Sequence, residues 1–273
     1  MINKNYKLKK TSDPFPYVVI DDFFSNDFYN ELEKFFPKSE KFKINNVGRM
    51  HGDTTFGDDL YNNLMSNSEA YKNLHNWVYS ENFINFFIDF FEPDLNSQYD
   101  LIDSPKNFEK KNEPIEIGKV FNLNNFQNNS SKPFLYSRLD LGYGKKDYGV
   151  DTGGRGPHID NPQRLISILF YVGGFSKIEG GEHRLWKKVD GQAKVAKEIK
   201  PNSNLLIASL QNNISYHDVN PITEISGTRN AFYLAISCSN PIWKKVKVNE
   251  FNLKHNRNRC KLSFIGKIKK RLF

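Results

Sequence analysis

Residues 158–186 read HIDNPQRLISILFYVGGFSKIEGGEHRLW. Two features of this stretch decide the fold class. Arg164 to Val172 is a β-like apolar run stopped by Gly173-Gly174, and His183 to Val189 is a second short run launched by Gly180-Gly181. Working outward, the same texture recurs at Phe134 to Leu141, Asn204 to Leu210 and Arg229 to Ser237, with breaks at Gly153-Gly154, Pro201-Asn202 and Gly227. Several short strands at this spacing predict a double-sheet barrel or jelly roll and argue against a sheet built from βαβ units. Any site then lies at the barrel mouth.

Upstream the pattern changes. PFPYVVIDDFFSNDFYNELEKFFP (14–37) opens with a β-rich run, Tyr17 to Ile20, followed by a helix start with Ser25 as N-cap and Phe28, Leu32, Phe35 and Phe36 on one face. A second helix is expected over Glu69 to Phe91, ending before Pro93 and backing the sheet. Residues 103–132 turn polar and asparagine-rich, which predicts a long loop or insertion. The expected organisation is one domain over 1–243, with a helical N-terminal part to about 132 and a β core from about 133, followed by a basic tail over 244–273. The fold class is mainly β with flanking helices (α+β).

Charge is concentrated in that tail. Its thirty residues carry eleven Lys or Arg and one acidic residue, Glu250, so the chain's formal charge of +8 becomes −2 for the rest. In LSFIGKIKKRLF, Phe264, Ile265, Ile268 and Leu272 share a narrow helical face among Lys267, Lys269, Lys270 and Arg271. Such a segment suits an anionic membrane surface, and a solvated terminus is the plainer alternative. No long uncharged apolar run and no secretory leader pattern is visible, which points to a cytoplasmic, at most membrane-peripheral, protein. Two cysteines, Cys238 and Cys260, make no disulfide framework and no C-x-x-C pair; both read as free thiols, Cys238 buried.

His158-Ile159-Asp160 puts two metal-capable side chains at i and i+2, on one side of an extended segment. Alone, such a triplet arises by chance and more commonly flanks an exposed turn. After the apolar run LLIASL comes Ser215-Tyr216-His217, and His217 completes a set of two imidazoles and one carboxylate, the facial arrangement that leaves positions open on an octahedral metal. Arg229, at the start of the next strand, presents a planar fork suited to a carboxylate, and Tyr171 offers a hydroxyl to the same group or is simply a core tyrosine. His51, His75, His183 and His255 lack partners at ligand spacing and read as surface or satisfied histidines; of these His183, entering a barrel strand after Gly180-Gly181, is the exception that could line the pocket. The GGRG and GG pairs lack the strand and helix context of a dinucleotide site.

The order HIDNP, RLISILFYVGG, GGEHRLW, PNSNLLIASL, SYHDVNPI and GTR, over about 80 residues, resembles the prolyl-hydroxylase-like branch of the iron(II)/2-oxoglutarate oxygenases. The resemblance implies a double-stranded β-helix core of cupin-like type. It implies metal ligands at His158, Asp160 and His217, and 2-oxoglutarate carboxylate binding by Arg229 with Tyr171 in support. It also implies Fe(2+), 2-oxoglutarate and O2 as cofactor and co-substrates, leaves ascorbate open as an accessory reductant, and assigns no catalytic residue beyond the ligands. The reaction implied is hydroxylation with release of succinate and CO2. Two departures stand out: Asp218, where a glycine commonly follows the distal histidine, and the glycine-rich approach DYGVDTGGRGP, which leaves the upstream contacts around Tyr148 unassigned.

Three other readings compete. A cupin-like metal-binding protein without oxygenase activity shares the ligands and does not need Arg229. An AlkB-like nucleic-acid demethylase usually carries a second arginine six residues after the first, where Ala235 stands, so nucleic acid is disfavoured as a partner. The third makes the chain chiefly a surface-binding module through its tail. The substrate to be oxidised, whether small molecule, peptide or glycan, is left open, since such contacts come from variable loops.

Overall fold

In this computed structural model the described residues are 1–44, 52–98, 104–115, 132–146 and 156–243. The tail from 244, Tyr148, His51, His255, Cys260 and most of the polar segment lie outside them. In chain order the strands are β1 (Lys7–Thr11), β2 (Tyr17–Asp21), β3 (Lys43–Ile44), β4 (Gly52–Thr55), β5 (Glu109–Lys110), β6 (Phe134–Gly144), β7 (Arg164–Gly180), β8 (His183–Val189), β9 (Gln192–Ile199), β10 (Leu205–Leu210), β11 (His217–Val219) and β12 (Ile222–Cys238). The helices are α1 (Asn26–Lys34), α2 (Asp59–Asn67), α3 (Glu69–Val78) and α4 (Glu81–Gln98). A large sheet runs β1-β2-β10-β7-β12-β6-β4-β3, with β5 parallel to β6 on the side. A small sheet, β11-β8-β9, faces part of it. This is the jelly-roll core expected from the strand spacing.

The period-2 alternation of the central strands gives two separate cores. One face of the large sheet presents Ile168, Phe170, Leu206, Ala208, Phe232 and Leu234 to the helices. There they meet a dense aromatic cluster in which Phe24 lies edge-on to Phe170 at 4.9 Å and Trp77 edge-on to Phe83 at 4.9 Å. The opposite face presents Leu169, Tyr171, Leu205, Ile207 and Ala231 to the small sheet's Leu185 and Ile199. Each fully buried Leu, Ile or Phe of these layers contributes about 1.5–3 kcal/mol.

The long strands β7 and β12 bend together where Gly173-Gly174 meets Gly227. A Cβ on Gly174 would lie 2.2 Å from Asn230 Nδ2, and one on Gly227 would lie 2.2 Å from the Gly174 carbonyl oxygen. Both glycines have positive φ, +83° and +102°, so no other residue fits without strain. The sequence marked these glycines as strand ends. They are bends within continuous strands, and β12 therefore begins at Ile222, ahead of Arg229.

The helical layer differs from expectation. The single helix expected over 69–91 is two, because the Ser80 hydroxyl donates to the Trp77 carbonyl at 2.6 Å and accepts from the Phe83 amide at 3.4 Å, closing one helix and opening the next. The second runs through Pro93, which is exposed, while Phe91 and Leu95 on either side of it are buried and hold the helix to the core. Phe35 ends α1 and is exposed; Tyr29 and Leu32 are its buried residues. The first 55 residues are not only helical, since β1 to β4 all join the large sheet. Among the described residues, no helix is long and apolar enough to cross a membrane.

Candidate metal centre

The segment 158–160 is brought to β11 by a single antiparallel bridge. The His158 amide donates to the His217 carbonyl at 3.1 Å, and the His217 amide donates to the His158 carbonyl at 3.0 Å. Residues that exchange both bonds project their side chains to the same face. The two imidazoles accordingly meet with ring centroids 4.7 Å apart. Asp160, two residues on, turns to the same side, and one ligand atom from each of His158, Asp160 and His217 lies within 4.8 Å of the others.

Each of the three is oriented by a second group. His158 Nδ1 donates to the Gly156 carbonyl at 3.0 Å, and His217 Nδ1 donates to the Ser215 carbonyl at 2.9 Å. A carbonyl oxygen only accepts, so both rings carry their proton on Nδ1 and keep the Nε2 lone pair for a metal. The hydroxyl of Ser167, on β7, donates to Asp160 Oδ2. Sequence reasoning missed Ser167. The available signal was its phase, a polar residue on the same strand face as Leu169 and Tyr171.

Deeper in the barrel, Arg229 is fully buried and its Nη1 donates to the Gly181 carbonyl at 3.0 Å. Its guanidinium centre lies 5.8 Å from the Tyr171 ring. Burial pushes the Tyr171 hydroxyl well above its usual range, with the Arg229 charge opposing, so the group stays a neutral donor. Among the described residues that hydroxyl has no hydrogen-bond partner, and neither has Nδ1 of His183.

His183 lies beside His217. It pairs across the small sheet with Val219, and its ring centroid is 5.6 Å from that of His217. Burial first, then the charges of His217, Arg229 and His158, hold its pKa down to about 3, so the imidazole is neutral. His75 is a satisfied helix histidine, its Nδ1 2.8 Å from the Tyr61 hydroxyl. Cys238 is buried, which raises its thiol pKa.

Asp218 leaves the pocket altogether. On β11 it faces away from His217 and Val219, and it accepts from Arg184 through Nε and Nη2 at 2.8 and 2.6 Å and from Trp186 Nε1 at 2.9 Å. Arg184 also donates to Asn220, which in turn donates to Glu182.

A divalent metal with open coordination positions suits the two imidazoles and one carboxylate. The two buried polar atoms lacking partners suit a polar ligand beside it.

No family model and no curated protein matches the chain. Among solved structures it is similar to a prolyl 4-hydroxylase from Phytophthora capsici (15% identity, 81% of this chain and 58% of that chain, TM-score 0.45). It is similar to a prolyl hydroxylase from Trichoplax adhaerens in complex with a hypoxia-inducible-factor peptide fragment (15%, 81% and 83%, 0.45). A viral collagen prolyl hydroxylase from Paramecium bursaria Chlorella virus-1, in its 2-oxoglutarate complex, is a third (13%, 83% and 98%, 0.44). The chain thus spans 58% of the first of these proteins.

Proposed function

We propose that this chain is an iron(II)- and 2-oxoglutarate-dependent oxygenase that hydroxylates its substrate. The observation that carries the reading is the grouping of His158, Asp160 and His217 within 4.8 Å, with both Nδ1 atoms turned to backbone carbonyls. When bound there, iron(II) with 2-oxoglutarate supplies oxygen activation coupled to decarboxylation, yielding succinate, CO2 and a hydroxylated product.

The chain's own residues divide the remaining work. His158, Asp160 and His217 hold one face of the metal and leave the other for ligands. Ser167 fixes the carboxylate rotamer of Asp160. Arg229 takes the distal carboxylate of 2-oxoglutarate through its fork, and Tyr171 donates its hydroxyl to the same group. Leu169, Leu185 and Ile222 wall the co-substrate from water, which strengthens these polar contacts.

The cupin-like alternative, a metal binder without oxygenase activity, explains the three ligands and gives Arg229 and Tyr171 no role. Anaerobic loading with iron(II), followed by oxygen and 2-oxoglutarate, separates the two. Succinate formed in proportion to bound iron supports the oxygenase, and succinate no higher than in the iron-free protein rejects it.

A further inference from the structure

His183 stands beside the metal group, yet it is neither one of its three ligands nor a member of the apolar layers around it. Its place is set by register. On β8 it pairs with Val219 of β11 and Ile199 of β9, and two residues further along the strand Leu185 pairs with His217. Two residues the other way, the Gly181 carbonyl accepts from Nη1 of Arg229 at 3.0 Å. Along the chain His183 therefore lies between the residue paired with His217 and the residue that holds Arg229, one row deeper than the metal ligand and on the Arg229 side of it. The charged and titratable groups acting on its ring are the same set: His217, Arg229, His158 and Asp160.

A dicarboxylate that reaches from the metal to Arg229 runs past this imidazole. His183 keeps 8% exposure, and among the described residues its Nδ1 has no hydrogen-bond partner. A polar nitrogen buried in that state carries the full cost of its lost hydration, a cost that a bound ligand of the right polarity removes. The Tyr171 hydroxyl, on β7 of the large sheet, is in the same state, and the Arg229 guanidinium lies 5.8 Å from its ring. All three side chains can donate. An ionised carboxylate accepts about four hydrogen bonds and donates none. The Arg229 fork supplies two and the Tyr171 hydroxyl one, so a single N–H of a neutral imidazole completes the set without adding a second positive charge.

We infer that His183 is a further co-substrate-binding residue: its Nδ1–H donates to the distal carboxylate of the 2-oxo acid beside Arg229 and Tyr171, and so helps to select a 2-oxo dicarboxylate over 2-oxo acids that lack the second carboxylate. The inference rests on the oxygenase reading and deepens it, and the experiment keeps the two apart.

Full-length protein loaded anaerobically with iron(II) is titrated by calorimetry with 2-oxoglutarate and with 2-oxopentanoate, which has the same carbon chain and no distal carboxylate. His183→Leu should weaken 2-oxoglutarate binding about 30-fold while leaving iron content and 2-oxopentanoate binding at wild-type values. His183→Asn, whose amide nitrogen comes close to the place of Nδ1, should recover part of the loss. His183→Gln, whose amide falls nearer the place of Nε2, should recover none. A purely structural role for the ring predicts instead that the variants lose iron or weaken both acids alike. The inference is overturned if folded His183→Leu binds 2-oxoglutarate as wild type does, if 2-oxopentanoate weakens by the same factor, or if Gln restores binding as well as Asn. Should His183→Leu fail to fold, the Asn and Gln pair decides by the same comparison. Wild-type binding of 2-oxoglutarate that Arg229→Ala loses upholds the oxygenase reading whatever His183 does. If iron-loaded wild type binds neither acid, that reading itself fails and takes the inference with it.

Discussion

Arg184 and Asp218 meet edge to edge behind His217, Nε to Oδ1 at 2.8 Å and Nη2 to Oδ2 at 2.6 Å. The Asp218 side chain retains 2% exposure, so this is a largely desolvated pair. It clamps the three-residue strand β11 to β8, and β11 begins with His217.

Removing one partner strands the other's charge in the interior. Asp218→Ala is therefore expected to cost about 3 kcal/mol in unfolding free energy and to lower iron affinity through loss of His217 alignment. The double variant Arg184→Met with Asp218→Ala should be more stable than Asp218→Ala alone. Equilibrium urea unfolding and metal titration of all three check this.

Replacing His158 or Asp160 by Ala should abolish iron binding while leaving the far-ultraviolet circular dichroism unchanged, because both lie at the barrel mouth and not in either apolar layer. Metal analysis after desalting is the measurement; wild-type iron content in either variant contradicts the ligand assignment.

Ser167→Ala removes the hydrogen bond that sets Asp160 and nothing from the first ring of ligands. A loss of about 10-fold in metal affinity is expected, at the low end for an orienting partner. Competition with a chromophoric chelator resolves such a change.

Arg229→Ala should weaken 2-oxoglutarate binding by about 2–4 kcal/mol with iron binding preserved. Calorimetric titration of 2-oxoglutarate into protein loaded anaerobically with iron(II) tests it, and unchanged affinity refutes the role of Arg229.

His183 gives the metal-free protein a pH dependence. Its folded pKa of about 3 lies below the ordinary histidine value of 6.5, so the unfolded chain binds the proton first. Stability from this group is present above about pH 6.5 and is lost as pH falls toward 3. His183→Leu should flatten the unfolding free energy across that window.

The parts of the fold legible in the sequence were those in which a single strand carries its own signal. The apolar run ILFYV between Ser167 and Gly173 supplies apolar residues to both faces, and it reads as a buried strand without help. The edge strand KLKKT and the polar β9 carry no such signal, because exposed strands gain their order from a neighbour's hydrogen bonds. In the same way, His158, Asp160 and His217 were legible from residue type and spacing. Ser167 meets Asp160 only once β7 is folded beside the 158–160 segment, a relationship no one-dimensional pattern contains. Pro93 misled for the converse reason: packing of Phe91 and Leu95 outweighs a local helix breaker.

The outermost strand of the large sheet, β1, places Lys7, Lys9 and Lys10 along its free margin, four of its five residues exposed. At the other margin β3 is only two residues long. Among the described residues both margins are unpaired, and an unpaired sheet margin is a template on which a second chain, native or unfolding, can zip. Here one margin carries lysines, of which Lys9 and Lys10 are already engaged with Asp21 and Asp94, and the other gives an incoming strand almost no described length to grip. The consequence concerns assembly: a strand adding to β1 would have to accommodate these long charged side chains, two of them tied to carboxylates of the same chain.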